Sequence, residues 1–119
     1  MQNLETILQN EKVPPQNLDA EVSVIGSMLI EEDAAAQAFE QLTAESFYKN
    51  AHKKIFETLV ELFNENKPAD LVTLTERLDR KGFLEEVGGA SYLAFLTTAV
   101  PTAANIAHYA KIVKEKFIL

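Results

Sequence analysis

Two histidines and two carboxylate clusters are the side chains of this sequence whose types could support acid–base or metal chemistry. His52 and His108 are the only histidines, and neither has a neighbour at HxxxH or HxxE spacing that would place a second metal ligand on the same helical face. His52 falls within an apolar stripe, which favours a hydrogen-bonded core histidine over a general base, and His108 has no nucleophile beside it. The chain also lacks cysteine, which excludes thiolate ligands and disulfides. We therefore predict no metal site and no catalytic residue.

The carboxylates of 31–33 and of 85–86 are adjacent in sequence, so their side chains diverge and are expected to be solvated. A small acid–base enzyme built on these clusters remains an alternative, and it would require a carboxylate of strongly perturbed pKa inside a cleft. No GxxxxGK[ST] segment is present, so the chain has no phosphate-binding P-loop. The Gly88-Gly89 pair is interpreted as a structural turn.

Composition bounds the class of protein. A chain of 119 residues with 47% hydrophobic residues fits one domain, and only four glycines and four prolines favour an all-helical fold. A net charge of −7 disfavours a surface that grips the phosphate backbone of DNA by itself. Neither a signal peptide nor an apolar run of about 20 residues is present, so we expect a cytoplasmic protein with no membrane contact.

Apolar residues at helical spacing predict three helices in the first half of the chain. Residues 1–13 are weakly patterned and are expected to form a flexible tail. Asn17 is a predicted N-cap, and the first helix carries its apolar stripe on Leu18, Val22, Ile25 and Leu29. Gly26 interrupts this helix and predicts a close contact with another helix. A short helix over 34–41 and a central helix over 48–64 follow. The stripe of the central helix comprises His52, Ile55, Phe56, Leu59, Leu62 and Phe63.

Capping and breaking residues predict three further helices. Thr73 and Glu76 match a capping box, and Gly82 ends the helix that this box begins. After a loop over 83–89, a short helix is expected to place Tyr92, Phe95 and Leu96 on its inner face. Thr102 is the predicted cap of a last helix whose apolar stripe is Ile106, Ala110, Val113 and Phe117. This stripe reaches the final residue without a stop signal, so the fold is expected to be a compact bundle of about six helices truncated within the last one.

Five blocks of residues, taken in order and spacing, resemble the N-terminal domain of the DnaB-type bacterial replicative DNA helicases over about residues 13–118. The blocks are PPQNLDAE with VIGS (14–27), FY with His52 and IF (47–56), P-x-DLVTL (68–74), L-x-x-VGG-x-x-YL (84–93) and VPTAANI with YAKIV and EK (100–116). The resemblance implies a globular collar domain over 14–100 and the start of a truncated helical hairpin over 101–119.

In that family the domain is part of a collar of paired subunits on a hexameric ring. The resemblance implies a non-catalytic module of the primosome for DNA replication, which assembles helicase subunits and recruits primase and the helicase loader. ATP, Mg²⁺ and single-stranded DNA would be bound only by the motor of the parent helicase, because the Walker motifs are absent here. No catalytic, cofactor-binding or metal-binding residue carries over.

Candidate partner-interface residues lie in the last two predicted helices, and no motif of the family singles them out. The unfinished apolar end of the last helix indicates an interaction element. The candidates are Tyr92, Tyr109, Ile112, Phe117 and Ile118. For Tyr92, Tyr109 and Ile112, ordinary core packing is the competing interpretation. A free-standing helical adaptor of the same fold, like the helicase-binding domain of primase, is the alternative function.

Overall fold

The computed structural model describes the backbone of residues 15–118 and the side chains of residues 17–115. Within these residues the chain forms six α-helices and one short 3-10 turn, without a strand, which confirms the predicted all-helical class. The predicted tail over 1–13 lies outside the described residues. The elements are α1 (Pro15–Ile30), α2 (Glu32–Gln41), a 3-10 turn (Ala44–Ser46), α3 (Asn50–Asn64), α4 (Leu71–Lys81), α5 (Gly89–Thr98) and α6 (Ile106–Ile118).

Helix α1 is the central element of the bundle, since it packs against α2, α3, α5 and α6. It begins at Pro15 rather than after Asn17. Proline is favoured in the first turn of a helix, because it has no backbone N–H that would be left without a partner there. Its buried face is also rotated from the predicted stripe. Val22 is only partly buried, whereas the buried face comprises Ala20, Glu21, Val24, Ile25, Met28 and Leu29.

Gly26 confirms the predicted close contact between helices. A Cβ atom at this position would overlap the backbone carbonyl oxygen of Leu96 in α5. The backbones of α1 and α5 therefore meet directly, and the missing side chain is the condition for that approach.

Helices α2 and α3 each begin two residues away from the predicted position. Glu32 and Asp33 form the first turn of α2, where negative charge opposes the positive end of the helix dipole. Helix α3 begins at Asn50, and Tyr48 precedes it. The predicted stripe of α3 is buried except at Phe63, which is 51% exposed and packs its ring on Phe39.

Helix α4 is capped by Asp70, not by Thr73. The Asp70 carboxylate accepts the backbone N–H of Thr73 at 2.8 Å, so Thr73 is the third residue of the helix rather than its cap. Gly82 ends α4 with a φ of 80°, as predicted.

Helix α5 follows a turn in which Gly88 and Gly89 have φ angles of 114° and 78°, which confirms the structural reading of this pair. The prediction that Phe95 faces inward is wrong. It is 53% exposed. Leu96 is buried as predicted, and Leu93 takes the place of Phe95 on the buried face.

Helix α6 begins at Ile106, so Thr102 is not its cap. The Thr102 hydroxyl instead accepts the backbone N–H of Ala104 in the preceding turn. Ile106, Ala110 and Val113 are buried as predicted. No helix in the described part of the chain is long and apolar enough to cross a membrane.

Candidate functional site

A buried carboxylate lies at the junction of α1 and α3. The side chain of Glu21, on α1, is fully buried. It accepts the backbone N–H of Tyr48 at 2.6 Å and that of Lys49 at 3.3 Å, immediately before α3 begins. The N-terminal end of a helix favours negative charge and leaves N–H groups without intrahelical partners. Glu21 therefore caps α3 from a different helix.

His52 connects this carboxylate to α5. Its Nδ1 lies 2.7 Å from Glu21 Oε1, and its Nε2 lies 2.7 Å from the hydroxyl of Tyr92. Because an ionised carboxylate only accepts hydrogen bonds, Nδ1 carries the proton that is shared with Glu21. The imidazole is buried and bonded on both sides, which confirms the predicted core histidine.

Tyr92 is the part of this polar centre that reaches the surface. Its ring lies parallel to the His52 ring at a centroid distance of 6.0 Å and stacks on Phe95 at 6.0 Å. Lys49 Nζ sits 4.8 Å from the centroid of the Tyr92 ring. Burial, and then the charge of Glu21, raise the pKa of the Tyr92 hydroxyl, so it stays protonated at neutral pH. The tyrosine is thus held in one orientation with part of its ring exposed.

The order carboxylate, imidazole, hydroxyl resembles that of a hydrolase triad, but its electrostatics differ. A nucleophile needs a hydroxyl that a neighbouring base activates. Here the pKa of the hydroxyl is raised, and the carboxylate is also occupied by two backbone N–H groups. The geometry therefore orients Tyr92 and provides no activated nucleophile.

The other predicted interface residues lie on α6. Tyr109 and Ile112 are partly buried beside the buried Ala110 and Val113, and the Tyr109 ring packs on His108 at 5.8 Å. Tyr92 and Tyr109 thus belong to different aromatic clusters. Phe117 and Ile118 lie within the bounds of α6, but their side chains are outside the described residues.

A second polar cluster joins α3 and α4, and the sequence interpretation missed it. Arg77 is 8% exposed and donates to both carboxylate oxygens of Glu65, at 2.7 and 2.9 Å. Lys81 Nζ contacts Glu61 at 2.5 Å and Thr58 at 3.1 Å. The hydrogen bonds and charge of Arg77 lower the pKa of Glu65 from 4.5 to about 2. We call these five residues the Arg77 network.

The predicted acidic clusters are exposed, and they do not form an acid–base site. Glu31 and Asp33 line an open cavity of about 320 Å³, whereas Glu85 and Glu86 lie on the surface after α4. No group of three metal-ligating side chains occurs among the residues that the structure describes. An arginine lowers the pKa of Glu65 and that of Glu76, the opposite of what a general acid requires.

Comparison with known proteins identifies the family. Residues 13–115 match the model of the DnaB-like helicase N-terminal domain. The chain belongs to this family. It is 46% identical to the replicative DNA helicase DnaC of Bacillus subtilis (strain 168), over 96% of this chain and 25% of that helicase. It is 47% identical to the replicative DNA helicase DnaB of Mycobacterium leprae (strain TN), over 89% of this chain and 18% of that helicase.

A solved structure supports the same assignment. The N-terminal domain of DnaB helicase from Mycobacterium tuberculosis superposes with a TM-score of 0.84 at 47% identity, covering 89% of this chain and 74% of that one. The DnaB-like N-terminal fold is thereby confirmed. The chain spans a quarter or less of the length of the two helicases above.

Proposed function

We propose that this DnaB-like domain is a non-catalytic collar module, which assembles helicase subunits and recruits partner proteins, primase and the helicase loader among them. The observation that carries the proposal is the match to the N-terminal domain family over residues 13–115.

The proposal assigns the chemistry to the parent protein. The relatives are named replicative DNA helicases, and this chain aligns with only a small part of each. The parent would unwind DNA as a hexamer, with ATP and Mg²⁺ held by a motor domain, and single-stranded DNA would contact that motor. This domain would contribute no catalytic residue.

The proposed partner surface includes Tyr92 on α5 and Tyr109, Ile112, Phe117 and Ile118 on α6. Tyr92, Tyr109 and Ile112 are partly buried, which fits such a role because the core anchors one side of each side chain and the other side offers contact area. Tyr92 meets this condition through its bond to His52.

The test is a calorimetric titration of this chain with the C-terminal domain of primase from the same organism, at low salt. We expect saturable binding that Tyr109→Ala and Ile112→Ala each weaken by about tenfold, since a few anchor residues carry most of an interface's energy. Phe63→Ala on α3 is the matched control, because Phe63 is exposed on a different helix. Circular dichroism checks that every variant is folded.

Absence of saturable binding would remove primase recruitment from the proposal. Sedimentation equilibrium then tests the assembly role separately. Self-association that Ile112→Ala weakens and Phe63→Ala does not would retain that role. A chain that neither binds primase nor associates with itself would contradict the proposal as a whole.

A further inference from the structure

An open apolar groove lies between α4 and α5. Its floor is formed by side chains from both helices and from the loop between them, and its volume is about 570 Å³. Val72, in the first turn of α4, is 78% exposed at this groove. The floor comprises Leu71, Val72, Leu84, Ala90 and Ala94.

Helix α5 lacks the charged face that a surface helix normally carries. Its sequence, GASYLAFLTT, contains no charged residue, although Ala90, Ala94 and Phe95 are exposed. A surface helix without charges on its outer side is typical of one that packs against another element. Ala90 and Ala94 are four residues apart on the groove side, and their small side chains permit close approach of a partner backbone.

The charges of α4 are separated between its two sides. Arg77 and Lys81 point towards α3, where they bind Glu65 and Glu61. Glu76 and Asp79 line the groove on the other side. Arg80 departs from this separation of charge, because it is basic and binds Glu76 on the groove side. Two further acidic residues are sequence neighbours of the floor, since Asp70 directly precedes Leu71 and Glu85 directly follows Leu84. The rim of the groove is therefore net acidic.

We propose that this groove docks a basic amphipathic helix of a partner protein. An apolar stripe on that helix would fill the floor, and flanking lysine or arginine side chains would face Glu76 and Asp79. A second copy of this chain fits less well, because its net charge of −7 brings like charge to an acidic rim. The inference does not rest on the proposed collar role, since the groove involves neither Tyr109 nor Ile112.

The probe is a synthetic amidated peptide of about 16 residues, long enough to be helical, with leucine at every third or fourth position and lysine between them. A second peptide replaces each lysine with glutamate. Backbone amide shifts of the isotope-labelled 119-residue chain are followed by NMR during titration. The lysine peptide should shift the amides of Val72, Leu84 and Ala94 saturably, and the glutamate peptide should not.

A matched pair of variants decides the location. Ala94→Arg places a large cation on the floor of the groove. It should lower the affinity for the lysine peptide by about tenfold or more. Ala36→Arg adds the same side chain to an exposed alanine on α2 and should leave the affinity within about twofold. Both alanines are exposed on helices, so neither substitution disturbs the core.

Three outcomes would overturn the proposal. Equal weakening by Ala36→Arg would show that net charge alone drives binding. Shifts confined to residues outside α4 and α5, or no saturable shifts, would show that the groove is not the site. A concentration-dependent dimer that Ala94→Arg abolishes, seen by sedimentation equilibrium, would assign the groove to a second copy of this chain.

Discussion

Both polar clusters of this domain join α3 to a neighbouring helix, but they do so in different environments. Glu21 and His52 are fully buried, and their hydrogen bonds end on backbone N–H groups and on the Tyr92 hydroxyl. In the Arg77 network the arginine is buried, but its partner Glu65 is partly exposed to solvent. The carboxylate and the imidazole of the first cluster are sealed from water, whereas water reaches the carboxylate of the second.

The difference determines what each cluster contributes. A buried charge without its partner is strongly destabilising, because no water replaces the lost bond. An exposed carboxylate that loses its partner is rehydrated, and the loss is small. The buried centre therefore fixes the relative positions of three helices. In the Arg77 network Glu65 can be rehydrated and the buried Arg77 still faces Glu61, so this network adds a modest and pH-dependent stabilisation.

The largest expected effect comes from removing the buried carboxylate. Glu21→Ala leaves His52 Nδ1 and the N–H groups of Tyr48 and Lys49 without their acceptor. We expect a loss of about 3–5 kcal/mol in the free energy of unfolding, measured by urea denaturation. Glu21→Gln retains one acceptor oxygen and should lose clearly less. A Glu21→Gln variant as stable as the unsubstituted chain would show that the negative charge of Glu21 contributes nothing to stability.

A smaller effect is expected from removing the Tyr92 hydroxyl, which is hydrogen-bonded to the second ring nitrogen of His52. Tyr92→Phe retains the ring but removes the hydroxyl bonded to His52 Nε2. We expect a loss of about 1–2 kcal/mol, measured in the same way, because one buried nitrogen loses its partner. Tyr109→Phe, which removes a hydroxyl with no hydrogen-bond partner among the described residues, is the matched control. An unchanged free energy of unfolding in Tyr92→Phe would mean that water replaces the lost hydrogen bond.

The smallest expected effect is specific to acid pH. The pKa of Glu65 is lowered from 4.5 to about 2 in the folded state, so its stabilising contribution is complete above pH 4.5 and is lost as the pH falls towards 2. In Glu65→Gln this part of the pH dependence should disappear. The melting temperature, followed from pH 6 to pH 2 alongside the control Glu57→Gln, measures it. An unchanged pH profile in Glu65→Gln would show that Arg77 does not hold this carboxylate.

Periodicity predicted the helices because it reports which face of a helix is apolar. The stripe of α3 from His52 to Leu62 and that of α6 from Ile106 to Val113 are both buried. The helix ends were less predictable, since several residues near each boundary are competent caps. Asp70 and Thr73 both qualify, and only the observed hydrogen bond shows that Asp70 caps α4.

The buried centre was only half predictable. His52 was placed in the core because it lies on an apolar stripe. Glu21 was not predicted to lie in the core, although its spacing of three and four residues from Val24 and Ile25 places it on their buried face. That spacing was the available signal. A lone carboxylate on an apolar face requires a partner, and nothing in the local sequence connects Glu21 to a histidine 31 residues away.

No substitution of a neighbouring residue can make room for a side chain at position 26. In most of a core, a larger side chain is accepted when a neighbouring side chain becomes smaller. The atom that a side chain at position 26 would meet is the carbonyl oxygen of Leu96, which every amino acid possesses. No exchange at position 96 can therefore make room, and any residue larger than glycine would require the whole of α5 to move away from α1.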